Sequence, residues 1–569
     1  MEFKDKFSFL VLLFSLISCV PSTVTNTSKN PPTETSNGTH EDPLASYAWH
    51  LNNTAQSTFS SSTGTSGQDM SISAVHDLEI KGRGIKIAVS DTGVEVNHLD
   101  LIVNQLTSLH RDYSASDSSL WSGGNPYPIE HEAHGTAVTG LLAAEGWNGV
   151  GSRGVAPSAQ YGAFLFIGGF HLSDVSYEAK LLDQMTGSFD IFNYSYGYLG
   201  CDFYPASISV LESYKDGVTT LRDGKGALYV KAAGNDFIGN NSDCDSSLTD
   251  SYLGNTNTDE EQNTPYVILT AAVNAKGKIS SYSTPGSGLW VSSLGGEFGT
   301  DSPAMLSTDM TSCALGMSTS TSSVAGFNKG SSALNSFCNY TSIMNGTSSA
   351  TPVLSGVIAL ILEANPNLSW RDVKHILAMT ADKINYSLLP MPHPGGSGWG
   401  LSGHAYDYVY VKNHADIYFS NTYGFGRANA LRAVQMARGY VSELGAYLET
   451  LDIPSASLNL EIPDQSSIGV TDQIHVIQDY AIESIQIKIS TDHPHVGDLG
   501  VELTSPSGTT SKLLLINSNI QHAGLSDYTL LTNAFYKEHS AGNWTIKVID
   551  GAASDIGHLT SWKIKVNGH

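Results

Sequence analysis

Four apolar runs set the terms for this chain: "GIKIAVSD" at residues 84–91, "DIFNYSYG" at 190–197, "GALYVKAAGN" at 226–235 and "YVILTAAVN" at 266–274. Segments of helical character lie between and after them, among them "HGTAVTGLLAAE" (134–145), "SYEAKLLDQMTG" (176–187) and "PVLSGVIALIL" (352–362). A strand that is apolar along its whole length must be covered on both faces, as in parallel sheets flanked by helices. The alternation therefore predicts an α/β domain over residues 42–445, a parallel sheet with helices on both faces. Functional groups in such sheets gather beyond the carboxyl ends of the strands. A helix is also predicted to begin at Ser369, with Asp372 three residues on to complete its cap.

From residue 446 the pattern changes. "ESIQIKISTDHPHVGDLGVELTSPSGTTSKLLLI" and "NWTIKVIDGAASDIGHLTSWKIKVNG" alternate as strands do, with Gly, Pro, Asn and Asp at the turns. Residues 446–569 are thus predicted to form an all-β sandwich. The length of 569 residues suits two or more domains. At the other end, the apolar run Phe7–Ser18 is too short to span a bilayer, follows two lysines and precedes small residues, so residues 1–19 read as a signal peptide. Leu16-Ile17-Ser18-Cys19 also resembles a bacterial lipobox, so export would end either in a lipid anchor on Cys19 or in free secretion. Residues 20–41, rich in Ser, Thr, Asn and Pro, read as a flexible tether. The remaining cysteines, Cys201, Cys244, Cys313 and Cys338, suggest disulfides in an exported chain. Three connectivities are open, and the sequence-local pairs Cys201–Cys244 and Cys313–Cys338 are preferred. The formal net charge of -25, from 54 acidic and 29 basic residues, argues against nucleic acid as a partner and suits cationic substrates or bound cations.

The segment "NGTSSATP" (345–352) places a small hydroxyl, Ser348, at the mouth of the apolar helix. A serine hydroxyl becomes a nucleophile only beside a base that is itself oriented by a third group. Asp91 closes the first strand in "SDTG", and His134 opens a helix in "HGT", with Gly135 allowing another backbone to approach. Each motif alone is ordinary loop or cap material. All three in the order Asp, His, Ser, each at a strand or helix terminus, resemble the three signature segments of subtilisin-like serine proteases. The resemblance covers most of residues 42–440. It implies Ser348 as nucleophile, His134 as general base and acid, and Asp91 as the carboxylate that orients the imidazole. "VKAAGNDF" resembles the family's strand ending in Gly-Asn, which implies Asn235 as an oxyanion donor.

The C-terminal segments "DHPHVGDLGVELTSPSG" and "NWTIKVID" resemble the P domain of kexin- and furin-like proprotein convertases, as "DPLASYAWHLNN" resembles the start of their catalytic domains. That branch implies Ca²⁺, with ligands at Asp42, Asp100, the Asn148 side chain and the backbone oxygens of Glu145 and Val150. A second convertase calcium site is not expected, because Gly200 and Thr284 stand where it needs Asp and Glu. Ser195-Tyr196-Gly197 resembles the strand that pairs with extended substrate. Asp259, counted back from Asn263, matches the convertase Asp at the bottom of the pocket for basic residues. Between Ala232 and Ala275 there is no Lys or Arg, but there are seven carboxylates, at 236, 243, 245, 250, 259, 260 and 261. This implies a preference for Arg or Lys before the scissile bond. Thr92 stands where convertases carry an Asp selecting a second basic residue, so strict dibasic cleavage is not expected. The family's long pro-domain has no counterpart between Cys19 and Asp42. Folding is expected to use a separate chaperone-inhibitor or to need none. The alternatives are a broad degradative protease and a non-catalytic surface-binding lipoprotein.

Overall fold

The computed structural model describes residues 41–569 apart from 116, 130–131, 169–176, 241–250, 325 and 395–400. The signal peptide, almost all of the tether, and Cys244, Asp243, Asp245 and Asp250 lie outside the described residues.

Seven strands form the central sheet: β1 (Lys86–Asp91), β2 (Arg111–Asp112), β3 (Gln160–Leu165), β4 (Ile191–Tyr194), β5 (Leu228–Ala232), β6 (Val267–Val273) and β7 (Val291–Leu294). Their order is β2-β3-β1-β4-β5-β6-β7, and every pairing is parallel. The order reverses about β1, which puts the end of β1 at a switch point of the sheet. All of β4, β5 and β6 is buried, which is why these segments read as continuous apolar runs.

Helix α1 (His134–Ala143) packs on β1 and on the long α2 (Thr347–Ala364), whose residues 347–362 are all buried. Helix α3 (Trp370–Thr380) begins with the expected capping box, Ser369 and Asp372 bonding each other's backbone N–H. Cys313 and Cys338 form the expected disulfide, with Cα atoms 4.9 Å apart.

The C-terminal part is a sandwich of antiparallel sheets. One contains β8 (Ser466–Val476), β10 (Leu499–Thr504), β11 (Thr510–Leu514) and β13 (Gly542–Asp550). The other is built on β9 (Ile482–Thr491), β12 (Leu525–Thr532) and β14 (Gly557–Gly568), with three short strands added along β14. Trp544 and Trp562 are fully buried in its core.

The two parts are joined by polar contacts as well as apolar ones. The loop 255–263 meets β12 almost as a strand would. Asn257 Oδ1 accepts from the N–H of Leu531 at 2.9 Å, Asn263 Nδ2 donates to Thr529 O at 2.7 Å, and Tyr528 Oη donates to Thr258 O at 2.7 Å. Beyond that seam Arg371 of α3 places its Nε 3.0 and 3.1 Å from the two carboxylate oxygens of Glu483 in β9.

Candidate active site

Asp91 ends β1 with no solvent exposure, and its Oδ1 lies 2.6 Å from Nδ1 of His134 at the first turn of α1. The approach requires Gly135. A Cβ there would lie 2.1 Å from Gly93 O and 3.0 Å from Asp91 Cβ. Thr92, which follows Asp91, accepts the N–H of Gly135 on its Oγ1 at 3.0 Å and so caps the start of α1. Burial favours the neutral form of the His134 ring. The charge and hydrogen bond of Asp91, helped by Glu132, outweigh it, so the pKa is raised. With Asp91 on Nδ1, the Nε2 atom is left to exchange protons.

Ser348 is the second residue of α2, after Gly346, whose φ of 97° is open to glycine at little cost. The Ser348 hydroxyl donates to Ser195 O at 3.1 Å rather than to the imidazole, and Ser195 Oγ donates back to Ser348 O at 3.0 Å. Pro352 explains why that carbonyl is available. It lies four residues on, inside the helix, and has no N–H to complete the i→i−4 bond. The N–H of Ser348 belongs to the first turn, where a helix has no acceptor of its own.

Asn235 faces the same turn. Its Oδ1 accepts from both the N–H (2.8 Å) and the Oγ1 (2.9 Å) of Thr347. Thr347 Oγ1 in turn accepts the N–H of Gly234 at 3.2 Å. With its oxygen held by Thr347, Nδ2 is the donor that remains on the amide. Asp91, His134, Ser348, Asn235 and Ser195 thus lie at the ends of β1, β4 and β5 and the starts of α1 and α2. A carboxylate-backed imidazole, a hydroxyl at a helix N-terminus and an oriented amide can together support acyl transfer.

Ser195, Tyr196 and Gly197 continue β4 past its last paired residue. Gly197 lies open beside Gln262, whose Nε2 would be 3.5 Å from a Cβ added there. Asp259 is buried, and its Oδ1 accepts the N–H of Glu261 at 2.9 Å. The sequence reading missed the cation that answers these carboxylates. Lys231, one residue before the stretch without Lys or Arg, puts Nζ 3.0 Å from Glu261 Oε2 and 3.5 Å from Asp259 Oδ2. Burial disfavours its charge, but the two carboxylates outweigh burial and hold the ammonium charged. A lone Lys inside "LYVKA", a strand otherwise built for burial, was the available signal, because such a charge is stable only when paired.

The residues expected to hold Ca²⁺ come together. Asp42 accepts the N–H groups of Trp147 (2.9 Å) and Asn148 (3.0 Å), and Arg153 Nε lies 2.8 Å from its Oδ2. Asn148 gives its Oδ1 to the N–H of Val150 at 2.8 Å and turns Nδ2 toward Asp100 Oδ1 (2.9 Å) and Glu145 (3.4 Å). Tyr340 Oη takes the other oxygen of Asp100 at 2.9 Å. A positive charge within this group is that of Arg153. Among the described residues no group of three or more His, Cys, Asp or Glu is disposed to hold a metal. Subtilases commonly bind calcium, and Asp42, Asp100 and Asn148 lie together as that expectation requires.

Comparison with known proteins fixes the class. A Subtilase family model matches residues 82–426, and a Proprotein convertase P-domain model matches residues 482–566. The chain belongs to the subtilase family and is a serine endopeptidase carrying a proprotein convertase P-domain. It is 30% identical to the Aeromonas extracellular serine protease of Aeromonas sobria, over 93% of this chain and 91% of that one. It is 25% identical to human neuroendocrine convertase 2, over 93% of this chain and 74% of that one. The solved structure of Aeromonas sobria serine protease in complex with the chaperone ORF2 superposes with a TM-score of 0.83 at 28% identity, covering 93% of this chain and 95% of that one.

Proposed function

We propose that Ser348, His134 and Asp91 are the catalytic triad of this endopeptidase, with Asn235 Nδ2 and the N–H of Ser348 as oxyanion donors. The observations that carry the reading are the 2.6 Å Asp91–His134 contact and the packing of α1, which bears His134, on α2, which bears Ser348 in its first turn. A turn about the Cα–Cβ bond moves the Ser348 hydroxyl between staggered positions, from Ser195 O to His134 Nε2. Its oxygen then attacks the substrate carbonyl carbon while its proton passes to Nε2. The carbonyl oxygen gains negative charge between the two donors. Collapse expels the amine, which takes the proton from Nε2, and water releases the acyl group by the same steps. The experiment is labelling with a fluorophosphonate, with Ser348→Ala as control. Labelling in the wild type and none in the variant is expected, and equal labelling removes Ser348 from its role.

Ser195–Gly197 then pair with extended substrate, and Asp259 favours Arg or Lys before the scissile bond. The net charge of Asp259, Glu261 and Lys231 is one negative, which supports this preference while loosening it. Profiling a peptide library separates it from broad specificity. The same reading takes residues 42–445 as the protease domain and 446–569 as the P domain. It takes residues 1–19 as an export signal, with Cys19 the point of any lipid anchor, and a separate chaperone as the folding partner. Expression of the chain alone in fully active form would remove the chaperone.

A further inference from the structure

We propose that Lys231 is a specificity-determining residue, an internal cation that competes with the substrate's own cation for Asp259 and so moderates the preference for Arg and Lys. The inference rests on the reading of Asp259 as the base of the substrate pocket.

Lys231 is 1% exposed, fixed in the middle of β5 between β4 and β6. Four residues later, past the end of β5, the chain delivers Asn235. The ammonium therefore cannot swing out to solvent when substrate arrives. Its closer partner is Glu261 at 3.0 Å, with Asp259 at 3.5 Å and the ring centre of Tyr196 at 5.8 Å. Asp259 Oδ2 is buried and receives no hydrogen bond. It is the acceptor left for an arriving guanidinium or ammonium, while Glu261 retains the lysine.

Such a substrate group would meet an attractive carboxylate and, on the far side of it, a fixed like charge. Repulsion between two charges a few ångströms apart away from bulk water offsets much of what one carboxylate gains. The pocket thus works as a weakened cation site rather than a strong one.

The test uses two peptides that differ only in the residue before the scissile bond, arginine or its uncharged isostere citrulline. The ratio of their kcat/KM values cancels any difference in active fraction between preparations. Lys231→Met is expected to raise the Arg-to-citrulline ratio by about tenfold or more, and Lys231→Arg, which keeps the charge, to leave it within about threefold. Glu261→Gln is expected to lower it. Lys231→Met with Glu261→Gln has one carboxylate, no lysine and the wild-type net charge. It repeats the test without surplus buried charge should Lys231→Met alone fail to fold, and its ratio should exceed that of Glu261→Gln by about tenfold. A ratio unmoved by loss of the lysine in both backgrounds overturns the proposal. A strong arginine preference that ignores residue 231 leaves the reading of Asp259 standing. No preference in the wild type or in any variant removes both.

Discussion

Replacing Thr347 by valine removes the one side-chain hydrogen bond from Thr347 to the Asn235 amide, on which the role of Asn235 depends, together with the acceptor for the Gly234 N–H. The side chain is near-isosteric, and the backbone N–H of residue 347 still reaches Asn235 Oδ1, so one of the two bonds holding the amide is kept. What is lost is the 2.9 Å bond from Oγ1 to Asn235 and the acceptor for the Gly234 N–H. A neutral hydrogen bond contributes about 0.5–1.5 kcal/mol net. If all of that loss falls on amide orientation in the transition state, kcat drops by about 2- to 12-fold with KM unchanged. Thr347→Ser keeps the hydroxyl and should be close to wild type. Asn235→Ala removes the donor itself and should cost about 10²–10³ in kcat, a scale taken from subtilisin, another member of the family. The assay is steady-state hydrolysis of one chromogenic peptide by all four proteins, normalised by active-site titration. The expected order is wild type, Thr347→Ser, Thr347→Val, Asn235→Ala. A loss below about threefold in Asn235→Ala would refute the oxyanion role. Equal kcat for Thr347→Val and wild type would refute the claim that Thr347 aims the amide.

The acid limb of kcat/KM should lie above 6.5, the ordinary imidazole value, because Asp91 outweighs burial at His134. In Asp91→Asn only burial remains as a strong influence, so the limb should move below 6.5 while kcat falls by about 10⁴, and a pH profile that stays in place would remove Asp91 as the source of the shift. Arg153→Met should destabilise the protein by about 3 kcal/mol, since it strips the paired guanidinium from the buried carboxylate of Asp42, and an unchanged denaturation midpoint would show that Arg153 is not that counter-charge. Arg371→Met should cost about 3–5 kcal/mol by leaving Glu483 without its guanidinium at the domain seam. Calorimetry checks it, and a loss under 1 kcal/mol would mean that the pair contributes little.

The parts legible in the sequence were those that leave a periodic or local trace. Parallel strands buried on both faces appear as apolar runs, the Ser369–Asp372 cap spans three residues, and Asp91 and His134 stand at element ends. The Cys313–Cys338 pair is close in sequence. What could not be read lies in single side chains acting across long separations. Arg153 closing on Asp42 has no period, and neither has Tyr340 closing on Asp100 from 240 residues away. Lys231 was hidden differently. It sits inside a strand whose apolar neighbours already accounted for its burial, and its partners are 28 and 30 residues later in a loop. The matching of Asn257 and Asn263 to β12 was likewise invisible, because each half is satisfied only in the other's presence.

That last contact bears on the order in which the molecule becomes finished. Asn263 reaches a carbonyl 266 positions further along the chain, and Asn257 one 274 positions further. During synthesis Asp91, His134 and Ser348 leave the ribosome long before β12, the strand that meets the loop bearing Asp259. On the proposed reading, a half-made chain therefore holds the triad but not a completed substrate pocket, and selectivity is the last property to mature.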